Sequence, residues 1–317
     1  LNPKLFDKDI EQASSRNGYG EGLVLAGEEN ERVVVLCADL LESTRTQAFA
    51  EKFPERFFEV GVAEQNLVTV AAGMALCGKI PFASSFATFS PARNWEQIRT
   101  TICYNDVPVK IIGSHAGITV GPDGATHQAL EDMAIMRSLP NMIVISPVDA
   151  IEAEKATLAI ARNPKPCYMR LSRDKMPVIT TKSTPFKIGQ AEVFYGSTGS
   201  LQDVAVIATG QMVYRALLAA KEMESRKISV RVINCHTIKP LDEQVVLKAA
   251  KECGAIVTAE EHQVTGGLGG AVAEFLSQNL PVPLKIIGIE DKFGESGESN
   301  ELLEKFGLTN EKIIEAI

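Results

Sequence analysis

The sequence predicts an α/β protein made of two three-layer domains, each a mostly parallel sheet between helices. Three observations predict it. Short, fully apolar, β-branched runs alternate with longer runs of helical period almost throughout, as buried parallel strands and their crossover helices do. The alternation breaks once, after 173, where Pro177, Pro185 and a Thr-Thr-Lys-Ser-Thr cluster carry no helical period, and then it resumes. The chain has 317 residues, 45 % of them hydrophobic, enough for two full cores.

The elements follow in order. In the first block, strands are expected over 33–38, 57–60, 80–84, 109–114, 142–146 and 167–171. Val33-Val34-Val35-Leu36-Cys37 is the clearest of them, an unbroken apolar run that reads as a strand buried on both faces. Helices are expected over 10–27, 63–76, 92–103, 130–138 and 150–162. In the second block, strands are expected over 204–208, 229–234, 255–259 and 284–289. Its helices are expected over 212–223, 243–252 and 268–277, with a final pair after Ser299. The organisation is then a domain over 1–173, a linker over 174–190 and a second domain over 191–317.

Composition excludes several classes. A net charge of −8 argues against a nucleic-acid partner, although a few local arginines could still hold an anion. No apolar run approaches the roughly 20 residues that span a bilayer, so no membrane association is expected. No basic segment followed by an apolar one opens the sequence, so no secretory signal is expected. Six cysteines without a CxxC pair read as buried, reduced thiols, and a reducing cytoplasm follows.

Four segments carry candidate chemistry. In Phe57-Phe58-Glu59-Val60-Gly61-Val62-Ala63-Glu64-Gln65-Asn66 a short strand ends in a glycine turn and Glu64 opens a buried helix. A carboxylate fixed in a dry pocket suits a proton-handling acid. Taken alone, a glutamate there is more often a first-turn residue favoured by the helix dipole. Phe86 and Phe89 follow a strand and could wall a flat heteroaromatic site, though a core pair is the commoner fate of two such rings. His115, Asp123 and His127 fall in one long glycine-rich loop at a strand's C-terminal end, where open α/β sheets place ligands. A metal site is an alternative for these three, but their spacing matches no zinc pattern. Arg16, Ser43 and Arg173 are the fourth group. Two guanidinium forks and a hydroxyl can hold a phosphate, whereas each residue alone is more often a solvated surface group. Gly266-Gly267-Leu268-Gly269-Gly270 reads as close helix packing rather than a dinucleotide site, since no strict G-x-G-x-x-G is present. His236 and His262 receive no role.

The Gly-Val-Ala-Glu-Gln-Asn segment and the histidine loop resemble the pyrimidine-binding domain of transketolases, and the resemblance extends over the whole chain. It implies that Glu64 shares a proton with ring nitrogen N1′ of thiamine diphosphate, and that Phe86, Phe89 and Asp39 line the cofactor site, with Phe89 the better stacking candidate. It also implies that Arg16, Ser43, His115 and Arg173 bind a sugar phosphate, that Asp123 takes a sugar hydroxyl, and that His127 serves both binding and catalysis. The implied reaction moves a two-carbon ketol unit from a ketose phosphate to an aldose phosphate. Transketolases hold magnesium and the diphosphate with a Gly-Asp-Gly motif, which this sequence lacks. The resemblance therefore implies a partner chain that carries that motif and the Mg2+ ligands, an α2β2 assembly, and self-association of this chain. Three alternatives stay open: a deoxyxylulose phosphate synthase-like chain, a 2-oxo-acid dehydrogenase β-type subunit, and a catalytically silent binding module. Asn66 after Glu64-Gln65 favours the transketolase pattern over the synthase, which typically has histidine there.

Overall fold

A computed structural model describes residues 1–196 and 201–317 of the chain. A seven-stranded sheet runs in the order Thr237–Lys239, Ile143–Ile145, Cys167–Arg170, Lys110–Ser114, Ile80–Phe86, Val33–Cys37, Phe57–Glu59. All its pairings are parallel except the first. Helices Ser15–Glu29 and Ala150–Arg162 cover one face, where Tyr19, Leu23, Ala153 and Ile160 pack on Phe82 and Ile112. Helix Glu64–Leu76 covers the other face with Ile98–Cys103 and Asp132–Arg137, and Leu67, Ile102 and Met136 pack there on Leu36, Ala83 and Ile111. Burial on both faces is why these strands read as unbroken apolar runs.

One glycine fixes the start of the first helix. A Cβ on Gly18 would stand 1.7 Å from the carbonyl oxygen of Ala150, so only glycine lets the helix approach its neighbour there. That approach sets Arg16, two residues earlier, beside the C-terminal ends of the strands.

The second sheet runs Leu284–Ile289, Ile256–Gln263, Val204–Ala208, Val230–Asn234, Glu192–Tyr195, and only the last strand is antiparallel. Met212–Ser225 and Asn310–Ala316 cover one face, and Glu243–Cys253 and Leu268–Asn279 the other. Two mostly parallel three-layer units thus match the expected fold class. The two units share buried polar contacts. Glu152 Oε1 accepts from Asn234 Nδ2 at 2.7 Å, and burial together with the neighbouring Asp149 pushes its carboxyl up to about 8.

Three local expectations are corrected. The helix expected from residue 10 begins at Ser15, because Gln12–Ala13 pairs antiparallel with Met176–Pro177. The helix expected from residue 92 begins at Trp95 and continues as a π-turn over Ile98–Cys103, since Phe89–Asn94 winds through turns that bring Arg93 back to Glu64. Thr237–Lys239 was unexpected. It is three residues long, is followed by Pro240, and crosses back to the first sheet instead of extending the second. All six cysteines are free thiols, and only Cys77 is exposed. Among the described residues no helix is long and apolar enough to cross a membrane.

Candidate active site

The candidate residues lie toward the C-terminal ends of strands in the first sheet, on loops, on a strand end and on the first turns of two helices, the edge at which open α/β sheets hold ligands. Glu64 is the first residue of its helix and is 1 % exposed. Gly61, at φ 71°, makes the turn that delivers it. Ser85 Oγ donates to Oε1 at 3.4 Å, and Arg93 Nη1 donates to Oε2 at 2.7 Å. Asn94 Nδ2 holds the Glu64 carbonyl at 2.8 Å. One carboxylate oxygen is therefore firmly engaged and the other only weakly.

An aromatic wall stands beside it. Phe86 and Phe89 stack with centroids 6.1 Å apart, and the Arg93 guanidinium lies 4.9 Å over the Phe89 ring. His127 meets Phe89 edge-on at 5.5 Å and takes a hydrogen bond at Nδ1 with Thr126 Oγ1, 2.9 Å away.

On the far side of Phe86 lies a cationic cluster. The His115 ring stacks on Phe86 at 3.8 Å. Arg16 Nη1 donates to His115 Nε2 at 3.4 Å and to the Ser43 carbonyl at 2.8 Å. Since Nε2 accepts, Nδ1 carries the proton and donates to Ser114 Oγ at 2.9 Å. Burial first, then the charges of Arg16, Arg173 and Arg45, pull His115 down to about 3, so the ring is neutral near pH 7. Burial, Arg45 and Arg173 likewise pull Arg16 down to about 10. Among the described residues none of these three guanidiniums forms an ion pair, and Arg16 Nε is buried without a hydrogen-bond partner. Three guanidiniums that form no ion pair, beside a neutral histidine, can together hold an anion.

The remaining candidates are spread more widely. Arg173 Nη1 donates to the Val120 carbonyl at 2.5 Å and so also supports the histidine loop. Ser43 meets Arg16 through its carbonyl rather than its hydroxyl. Asp123 is exposed on the same loop. Asp39 is exposed at φ 57°, and its N–H donates at 2.7 Å to Glu59 Oε1, which also takes the Gly61 N–H at 2.9 Å. Among the described residues no three His, Cys, Asp or Glu side chains group as a metal site. His236 is buried in the contact between the two sheets, its ring 4.3 Å from that of Phe186, and His262 is buried beside the Ala134 N–H. Sequence reasoning missed Arg45 and Arg93. Arg45 stands at φ 64°, uncommon for a non-glycine residue, but no sequence pattern marks such a position. Arg93 reaches Glu64 only through the turns after Phe89.

A buried carboxylate, an aromatic wall and a guanidinium cluster thus meet at one edge of an α/β sheet. The model of the transketolase pyrimidine-binding domain matches residues 11–178, and that of the transketolase C-terminal domain matches 199–313. A putative transketolase C-terminal section from Methanocaldococcus jannaschii is 45 % identical over 95 % of this chain and 94 % of its own length. A 6-deoxy-6-sulfo-D-fructose transketolase subunit from a Clostridium species is 41 % identical over 98 % of this chain and 95 % of its own. A solved structure described as a split-gene transketolase, inactive beta4 tetramer, superposes with a TM-score of 0.89 at 46 % identity and covers 96 % of both chains. The chain belongs to the transketolase family, and over nearly its full length it matches the C-terminal part of split transketolases.

Proposed function

We propose that this chain, together with a partner polypeptide that supplies the diphosphate and magnesium ligands, is a thiamine diphosphate-dependent transketolase of the cytoplasm. It transfers a two-carbon ketol unit from a ketose phosphate to an aldose phosphate. In this reading 1–173 is the pyrimidine-binding domain, 174–190 a linker and 191–317 the C-terminal domain. The observation that carries the reading is the 3.8 Å stack of Phe86 on His115, which brings the acid-and-aromatic cluster and the cationic cluster into one cleft.

The residues fit the cofactor's pyrimidine end. Glu64 Oε1 has only a long contact to Ser85, which leaves an acceptor in a dry site for the N1′ proton. When bound, thiamine diphosphate supplies the nucleophilic carbon that takes up and hands on the two-carbon unit. Glu64 holds the proton at N1′, and Phe86, Phe89 and Asp39 line the pyrimidine pocket. Arg16 and Arg173 bind the phosphate by charge-assisted hydrogen bonds, the Ser43 hydroxyl adds a neutral one, and His115 joins them by shifting its proton from Nδ1 to Nε2. Asp123 takes a sugar hydroxyl. His127, its Nδ1 already engaged by Thr126, uses Nε2 to move a proton at the substrate oxygen.

Two relatives are named for 6-deoxy-6-sulfo-D-fructose and for apulose-4-phosphate, so an anionic ketose is the substrate class to assay. The partner completes an α2β2 assembly, and this chain alone self-associates, which the inactive beta4 tetramer of the similar split-gene transketolase supports. The test is xylulose 5-phosphate plus ribose 5-phosphate, with thiamine diphosphate, Mg2+ and the partner chain. Sedoheptulose 7-phosphate is the expected product. No transfer from any phosphorylated or sulfonated ketose would overturn the proposal.

A further inference from the structure

The loop that carries His115, Asp123 and His127 belongs to the first sheet, yet its middle is held by the second. Strand Ile256–Gln263 closes on Glu260, Glu261, His262 and Gln263, and Glu261 reaches across. Its Oε1 accepts from both the N–H and the Oγ1 of Thr119 at 2.8 Å, and its Oε2 accepts from Gln211 Nε2 at 2.6 Å. Its carbonyl accepts at 2.7 Å from Arg170 Nη2, which also holds the Ala129 carbonyl at 3.3 Å. Gly117, at φ 86°, makes the approach possible, because a Cβ there would lie 2.2 Å from the Glu261 carboxyl. Ser299 Oγ adds a 3.2 Å bond to the Thr119 carbonyl, and Gln128 Nε2 spans from the Ile118 carbonyl at 3.0 Å to that of Glu295 at 2.8 Å.

Glu261 is 5 % exposed; among the described residues no cation lies within ion-pair distance of its carboxylate, which burial pushes up and the Arg170 charge pulls back. A buried carboxylate met by three neutral donors is an expensive way to tie down a loop, and a fixed geometry is what it provides in return. The anchored residue lies four positions after His115 and four before Asp123. Slack at Thr119 would therefore reach both.

We propose that Glu261 is a positioning residue: through Thr119 it sets the spacing of His115 and Asp123 across the cleft, so the second domain acts on the reaction without touching substrate. The proposal rests on the sugar-phosphate reading of that cleft. Glu261→Gln keeps the shape but turns an amide donor toward Gln211, which can accept from it only by flipping and giving up its own 3.3 Å bond from Nε2 to Thr119 Oγ1. The double variant Glu261→Gln with Gln211→Glu restores a donor–acceptor pair.

The test uses the complex with its partner chain. The single variant should lose about 10- to 100-fold in kcat, since small misplacement of reacting groups costs that much, while the calorimetric affinity for thiamine diphosphate stays unchanged. The double variant should recover most of the loss. Thr119→Val, which removes one donor from the other side, should show a milder fall in kcat. Wild-type kcat in Glu261→Gln, or a kcat loss that the double variant leaves in full, would overturn the proposal. A crystal structure of the Glu261→Gln chain separates this from the function assignment. Displacement of 116–124 supports the positioning role whatever the wild-type complex turns over, and an unmoved loop refutes it.

Discussion

Replacing Glu64 by glutamine separates chemistry from folding at the residue on which the proposed activity depends most. The carboxylate is 1 % exposed, and its firm partner is Arg93 at 2.7 Å, itself about half exposed. Glutamine keeps the volume and can still accept from Ser85. Its amide nitrogen either meets the Arg93 donor or the arginine turns out to solvent. Because Arg93 is half exposed, that ion pair is screened and its loss costs only about 1 kcal/mol, a melting shift of roughly 2–4 °C for a domain of this size. The catalytic effect is far larger. An amide cannot share a proton with N1′, and removing one acid–base group lowers rates by about 10² to 10⁴, or roughly 3–5 kcal/mol of barrier. The assay is ketol transfer by the complex with its partner chain, alongside thermal melting of the variant. A melting point within a few degrees of wild type with turnover nearly abolished is the expected result. Turnover within a few-fold of wild type would remove Glu64 from the reaction.

Arg173→Ala should raise KM for a phosphorylated acceptor by roughly 10- to 100-fold, since a charge-assisted hydrogen bond contributes about 1.5–3 kcal/mol. A free sugar should change little, and an equal effect on both would make Arg173 structural through its bond to Val120. His115 should stay neutral from pH 8 down to about 4, followed by NMR of its ring; protonation near pH 6.5 would contradict the buried cationic cluster around it. Its pKa is lower in the folded state than in the unfolded one, so the unfolded chain binds more protons between about 6.5 and 3. The stability it contributes is complete above that window and is lost as pH falls through it. His236, which burial pulls down to about 4, adds to the same slope, and denaturant midpoints at pH 7 and pH 5 should differ accordingly.

Much of this was legible in the sequence, for physical reasons that differ from residue to residue. Strand Val33–Cys37 declared itself because burial on both faces leaves no room for polar residues. Glu64 declared itself through the Gly61 turn and the apolar helix behind it. His115 and His127 stood out as two of only four histidines, set in one glycine-rich loop. What stayed hidden depends on long-range return of the chain. Arg93 is 29 residues from Glu64, and Glu261 is 142 residues from Thr119. Neither contact leaves a local pattern. Thr237–Lys239 was missed because three residues before a proline carry no strand period, and the partner strand lies in the other sheet. The ring of His115 lies against Phe86 because two parallel strands end side by side, which spacing along one chain does not reveal.

In the proposed reading this chain holds one half of a shared active site. Calorimetric titration of thiamine diphosphate with Mg2+ into the pure chain, repeated after addition of the partner chain, tests it most directly. Neither tight binding nor ketol transfer is expected of the chain alone, because most of the cofactor's affinity comes from its metal-bridged diphosphate. Both should appear when the partner is added. Micromolar binding and turnover by the isolated chain would contradict it.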